Sequence, residues 1–249
     1  MTTQDTRPAA LSVFGPEGRI GTLYPDEPLS FAYSSEWLAA PAATPLHPDI
    51  PLATGRIDSP FVAAFFENLL PEGDQRKLIS TREKVSSVYG LLWKVGGESA
   101  GSVVLLPEGE EPQAPVYQRL TWNQVDALAH AATRSEEREA IERAAKDLPR
   151  PRMSLSGAQH KLLLFLDRDG TPCRPMGSSP STHILKPDIV RDDINIFASA
   201  ANETITMLLA KECGLPTAHV VYQAETQACL ITRYDRERLV KVGTGMAPG

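Results

Sequence analysis

Residues 153–170 read MSLSGAQHKLLLFLDRDG. The apolar run Leu162 to Leu166 is preceded by a glycine-containing turn and followed by an Asp-Arg-Asp-Gly turn, so the stretch predicts a strand, a turn and a second strand. Working outward, residues 181–188, STHILKPD, predict a short alternating strand ended by Pro187. Residues 193–213 then place Ala198, Ala201, Ile205, Leu208 and Leu209 at near-helical spacing, and Gly214 and Pro216 stop the helix in the expected order. Two further strands follow in TAHVVYQ and QACLITRYD.

Upstream, residues 107–117, PEGEEPQAPVY, read as a linker or surface loop. A helix beginning at Thr121 and a charge-rich one, SEEREAIERAAKD, connect it to a second boundary at LPRPR, residues 148–152. Earlier still, LSVF, RIGTLY and LSFAY in residues 11–33 predict strands separated by turns. Ser59-Pro60 supplies an N-cap and a first-turn proline for FVAAFFENLL, and Pro71 and Gly73 end that helix. DQRKLISTREKV and SSVYGLLWKV offer two more helices, and SVVLLP closes the region as a strand. The expected division is therefore a mixed β/helical subdomain over 1–106, a linker with connecting helices over 107–152, a second unit over 153–238, and a disordered tail over 239–249. The fold class is α+β.

The chain has 249 residues, 42% hydrophobic and 22% charged, enough apolar material for an ordinary core. Its formal net charge of −6 argues against a bulk cationic surface that grips nucleic acid. No apolar run approaches the length of a membrane span. The N-terminal residues lack the basic-then-apolar pattern of a secretory signal. Cys173, Cys213 and Cys229 share no C-x-x-C spacing and read as reduced thiols of a cytoplasmic protein.

A nucleotide-binding small lobe needs a loop whose backbone can approach phosphate, a lysine on a nearby strand, and a hinge strand for the base. Ser154 to Lys161 is the loop candidate, since Ser156, Gly157 and Ala158 are small enough to let amides converge on an anion. The same residues would also serve as a plain hairpin turn, and neither the G-x-x-x-x-G-K-[ST] nor the G-x-G-x-x-G spacing is present. Lys186 ends the STHILK strand, where a lysine is commonly just solvated. Glu203 lies 17 residues later on the strong helix, where it could pair with Lys186 or stand exposed. The order β-β-β-α-β-β is that of a protein-kinase small lobe. Asp188, Asp192, Asp193 and Asp235 are the other carboxylates nearby; the first three read as solvated loop and Asp235 as part of the hinge motif. No metal-ligand cluster or serine-hydrolase elbow is visible.

SLSGAQHKLLL, STHILKPD, Asn202-Glu203, LAKECGLP and ITRYDR, in this order, resemble the start of the kinase domain of HipA-family toxins. FFENLLPEGDQR, VYGLLWKVGGESAGSVVLLP, FGPEGRIGTLYPDEPLSFAYSSEWL and PLHPDIPL resemble the N-terminal subdomain of the same family. The resemblance covers residues 11–238. It implies a serine/threonine kinase toxin of a type II toxin–antitoxin system, using ATP and Mg2+, held by a helix-turn-helix, HipB-like antitoxin, with an aminoacyl-tRNA synthetase as protein substrate. It assigns ATP binding to Ser154, Ser156, Gly157, Ala158, Gln159, Lys161, Lys186 and Glu203, and to the hinge residues Thr232, Arg233 and Tyr234. Ser154 would be the autophosphorylated loop serine. No direct nucleic-acid or membrane binding is implied.

The catalytic Asp and the metal-binding Asp and Asn of such kinases belong to the large helical lobe that follows the hinge. Only 15 residues follow Tyr234, so the expectation is that this lobe is absent, that catalytic and metal residues are missing, and that the chain binds ATP weakly and is inactive alone. Two other readings stay open, a non-catalytic module or half of a split kinase that contacts an antitoxin or a separately encoded lobe, and the product of a damaged gene.

Overall fold

A computed structural model describes residues 8–97, 103–130, 134–149, 159–190 and 196–236. In the first half, β1 (Leu11–Gly15), β2 (Gly18–Tyr24), β3 (Ser30–Tyr33), β4 (Arg56–Asp58) and β5 (Val104–Pro107) form an antiparallel sheet in the order β4-β3-β2-β1-β5. Beside it lie α1 (Ser35–Ala39), α2 (Pro60–Glu67), α3 (Gly73–Glu83) and α4 (Val88–Val95). Local chemistry sets the helix starts: the Phe61 amide donates to Ser59 Oγ at 3.3 Å with Pro60 in the first turn, and the Gly90 amide donates to Ser87 Oγ at 3.1 Å. Leu11, Val13, Leu23, Phe31, Phe66, Leu92 and Leu105 meet in one core. A side chain at Gly21 would place its Cβ 2.2 Å from the Ala32 carbonyl oxygen, so only glycine lets β2 lie against β3 there.

The second half contains β6 (Val116–Arg119), α5 (Trp122–Ala129), α6 (Ser135–Ala144), β7 (Leu162–Leu166), β8 (Pro172–Met176), β9 (His183–Lys186), α7 (Ser199–Glu212), β10 (Val220–Gln223) and β11 (Ala228–Thr232). Its antiparallel sheet runs β10-β11-β9-β7-β8-β6. Register assigns the two faces. Leu162, Leu185 and Leu230 stand level across β7, β9 and β11, and their face packs on Val125, Leu128 and Ile141 of α5 and α6. The alternate residues, including Cys229 and Ile231, meet Ala200 and Met207 of α7 on the other face.

Residues 107–152 therefore do more than connect. β6 joins the second sheet through β8, and α5 and α6 cover one of its faces. The α5 start carries a full capping box, in which the Gln124 amide donates to Thr121 Oγ1 and the Thr121 amide to Gln124 Oε1. α7 spans Ser199–Glu212, starting later than the expected 193. Ala200 and Thr204 are buried, whereas Ile205, Leu208 and Leu209 are exposed. Small residues face the sheet because the helix lies close over β10 and β11. At the end of β11, Leu230 and Ile231 are buried, and Tyr234 beyond it is 91% exposed. The tail at 239–249 lies outside the described residues.

Candidate functional site

Lys186 ends β9 and Glu203 sits in the second turn of α7, and Lys186 Nζ donates to Glu203 Oε1 at 2.6 Å. Roughly three-quarters of each side chain is buried, at 22% and 27% exposure. The helix is held in place for this contact from the β9 side. Asp188, just past Pro187, accepts at Oδ1 from the Ala200 amide at 2.8 Å and from Ser199 Oγ at 3.2 Å, while the Ile189 amide donates to Ser199 Oγ at 2.7 Å. Residue Ala198 occupies the N-cap position in a left-handed conformation, φ 50, and has no side chain that could cap. Asp188 supplies that cap from a distance in sequence. The carboxylate expected to be solvated is thus structural, tying the strand that carries Lys186 to the helix that carries Glu203.

Lys161 stands one position beyond the Leu162–Leu185 rung, level with Lys186 and on its face of the sheet. Burial pushes its ammonium below the ordinary lysine value, with the Lys186 charge acting in the same direction; Glu203 and Glu72 oppose the shift. Gln159 donates through Nε2 to the Pro187 carbonyl at 3.4 Å, drawing the chain before β7 toward the end of β9. Cys229 is the β11 partner of Lys186; burial raises its thiol, and the Thr204 hydroxyl partly offsets this. Two ammonium groups thus flank one carboxylate on this sheet face, an arrangement suited to an anion carrying more than one negative charge.

The opposite end of the same strands holds the hinge candidates. Arg233 is buried at 5% exposure, forms a paired contact with Asp235 through Nε at 3.0 Å and Nη2 at 2.7 Å, and donates from Nη1 to Ser181 Oγ at 2.9 Å. That contact holds the Asp235 carboxyl below the usual carboxylate range. The Arg233 guanidinium therefore fastens the end of β11 to the turn before β9. Thr232 bonds to His183 and His219, and the Tyr234 side chain is open to solvent.

Of the sequence-predicted site residues, the structure gathers Gln159, Lys161, Lys186 and Glu203, and sets Thr232 three residues along β11 from the Lys186 rung, about 10 Å at a rise of about 3.3 Å per residue, with Arg233 and Tyr234 beyond the strand end. Ser154, Ser156, Gly157 and Ala158 lie outside the described residues, as do Asp192 and Asp193. Sequence reading missed the cap by Asp188, for which the capless start of the helix at Ala198 was the available signal. It also missed His183, which carries no motif of its own. Among the described residues, no group of three or more His, Cys, Asp or Glu side chains converges as a metal site.

Family models match the two halves separately: the HipA N-terminal domain over residues 11–111 and the HipA-like C-terminal domain over residues 153–246. The chain belongs to the HipA family. It is similar to the Sinorhizobium fredii protein named "Putative kinase Y4mE", at 32% identity over 223 residues, covering 84% of this chain and 50% of the relative. It is also similar to a solved structure of the HipA toxin–antitoxin system of Shewanella oneidensis MR-1, a complex of HipA, HipB and operator DNA. That match has a TM-score of 0.67 and 25% identity, covering 92% of this chain and 51% of that one. The chain spans about half the length of both. No described helix is long and apolar enough to cross a membrane.

Proposed function

We propose that these 249 residues form the N-terminal subdomain and nucleotide-holding small lobe of a HipA-type serine/threonine kinase toxin. The observation that carries the reading is the Lys186–Glu203 contact at 2.6 Å, made between a strand-end lysine and the helix that follows that strand. The frame around it supports the same reading. Taken in chain order, strands β7, β8, β9, β10 and β11 would be the five strands of a kinase small lobe, with α7 between the third and fourth. Lys186, aligned by Glu203, would neutralise ATP phosphates, with Lys161 and Gln159 beside it and the base toward Thr232–Tyr234. Ser154, Ser156, Gly157 and Ala158 would complete the loop, and Ser154 would be its autophosphorylation site. Mg2+ would supply charge neutralisation to the phosphates; of the described carboxylates close to Lys186, Glu203 is engaged by the lysine and Asp188 by the start of α7.

Because this polypeptide spans half of each relative, its proposed share of the reaction is to bind ATP weakly, with no phosphate transfer by itself. A HipB-like helix-turn-helix antitoxin is the proposed partner, supported by the HipA–HipB–DNA neighbour, and an aminoacyl-tRNA synthetase is the proposed protein substrate of the complete toxin. The test is incubation of the 249-residue chain with radiolabelled ATP and Mg2+, alone and with the C-terminal half of a HipA relative added. The reading expects no labelling alone and label on Ser154 when the second half is present. Label on Ser154 in the chain alone, abolished by Ser154→Ala, would refute the half-site assignment.

A further inference from the structure

Leu164, His183 and Thr232 stand level across β7, β9 and β11. Alternation along the strands puts their side chains on the sheet face opposite Lys186. A chain of polar contacts crosses the sheet there. The Leu166 amide donates to Thr182 Oγ1 at 3.2 Å, and Thr182 Oγ1 lies 2.8 Å from His183 Nδ1. His183 Nε2 lies 3.2 Å from Thr232 Oγ1, which is 3.5 Å from His219 Nδ1. Backbone bonds run beside it, from the Arg233 amide to the Thr182 carbonyl and from the Thr232 amide to the His219 carbonyl, each at 2.9 Å. One assignment of protons satisfies every member. The Thr182 hydroxyl donates to Nδ1, Nε2–H donates to Thr232, and the Thr232 hydroxyl donates to His219.

We infer that His183 is a positioning residue that fixes the end of β11 as the base-binding edge of the nucleotide site, an inference that rests on the function proposed above. The imidazole cannot reach a ligand held on the Lys186 face. It acts through Thr232, joining the start of β9 to the last rung of β11, so that the Thr232–Tyr234 backbone keeps a set distance from Lys186. Loosening that end weakens contacts with a base and leaves contacts with phosphates alone.

Calorimetry with two probes, ATP and inorganic tripolyphosphate, separates these ends of the site. His183→Leu is expected to raise the dissociation constant for ATP about five- to tenfold, the scale of one neutral hydrogen bond, while tripolyphosphate changes by less than about twofold. His183→Gln, whose amide can still donate to Thr232, is expected to bind both as wild type does. Thr232→Val removes the acceptor at nearly constant shape and provides the same reading if His183→Leu fails to fold. Equal weakening of both probes, or unchanged ATP affinity, overturns the inference. Wild-type binding of tripolyphosphate without ATP overturns it too, leaving the Lys186 anion site standing. If wild type binds neither, the proposed function falls and this inference with it.

Discussion

Replacing Glu203 by glutamine removes one charge and almost no volume from the site. At 2.6 Å, two unit charges in an effective dielectric of about 20 attract by about 6 kcal/mol, most of which is offset by desolvation. Charge-assisted hydrogen bonds retain about 1.5–3 kcal/mol net. A quarter of each side chain remains in water and glutamine keeps an acceptor, which places the expected loss at about 1–2 kcal/mol. For a chain of this size that corresponds to a fall in Tm of about 3–6 °C. The control is Glu139→Gln on α6, whose contact with Arg143 is 3.4 Å long and about 70% exposed on both sides, with an expected loss under about 0.5 kcal/mol. Thermal unfolding by circular dichroism at neutral pH reads both. If Glu203→Gln costs no more than Glu139→Gln, the pair is an ordinary surface contact and the reasoning from burial fails.

Arg233→Lys should cost about 2–3 kcal/mol, because an ammonium cannot reproduce the paired contact with Asp235 and also reach Ser181; urea unfolding of the variant measures it. The same cluster sets an acid limit. Arg233 holds the Asp235 carboxyl below its unfolded value of 3.8, so its contribution is complete above that pH and is lost as pH falls through the lower folded value. Asp235→Asn should flatten this part of the stability profile below about pH 4, and an unchanged acid slope would contradict the assignment. Gly21→Ala should destabilise the first sheet by more than about 2 kcal/mol through overpacking, since its new Cβ meets backbone at 2.2 Å; an unaltered melting curve would show that the strands can separate freely.

Where the sequence was legible, local rules and tertiary packing agreed. Ser59 and Pro60 start α2, Thr121 and Gln124 start α5, and the 17-residue interval from Lys186 to Glu203 ends in a contact. Elsewhere a stronger constraint overrode the local signal. β6 is a four-residue strand after a proline-rich loop, and only pairing with β8 makes it one. β8 contains Pro172 and Pro175, which discourage a strand assignment; Pro172 stands at the end of the ladder with β7, opposite Leu166, and Pro175 stands opposite Tyr117 of β6. The spacing of apolar residues announced α7 as a helix but not its facing: with Glu203 over Lys186, Ala200 and Thr204 turn inward and Ile205, Leu208 and Leu209 outward. Arg233, read as part of a hinge beside the base, is legible as a buried clamp only once Ser181 and Asp235 are seen beside it.

The most direct test of the account is calorimetric titration of ATP into the 249-residue chain and into Lys186→Ala. A half-site that forgoes metal and second-lobe contacts forfeits about 3–4 kcal/mol, several hundred-fold in dissociation constant. The account predicts weak, measurable binding by the wild-type chain and none by Lys186→Ala. Equal ATP affinity in the two proteins would contradict it.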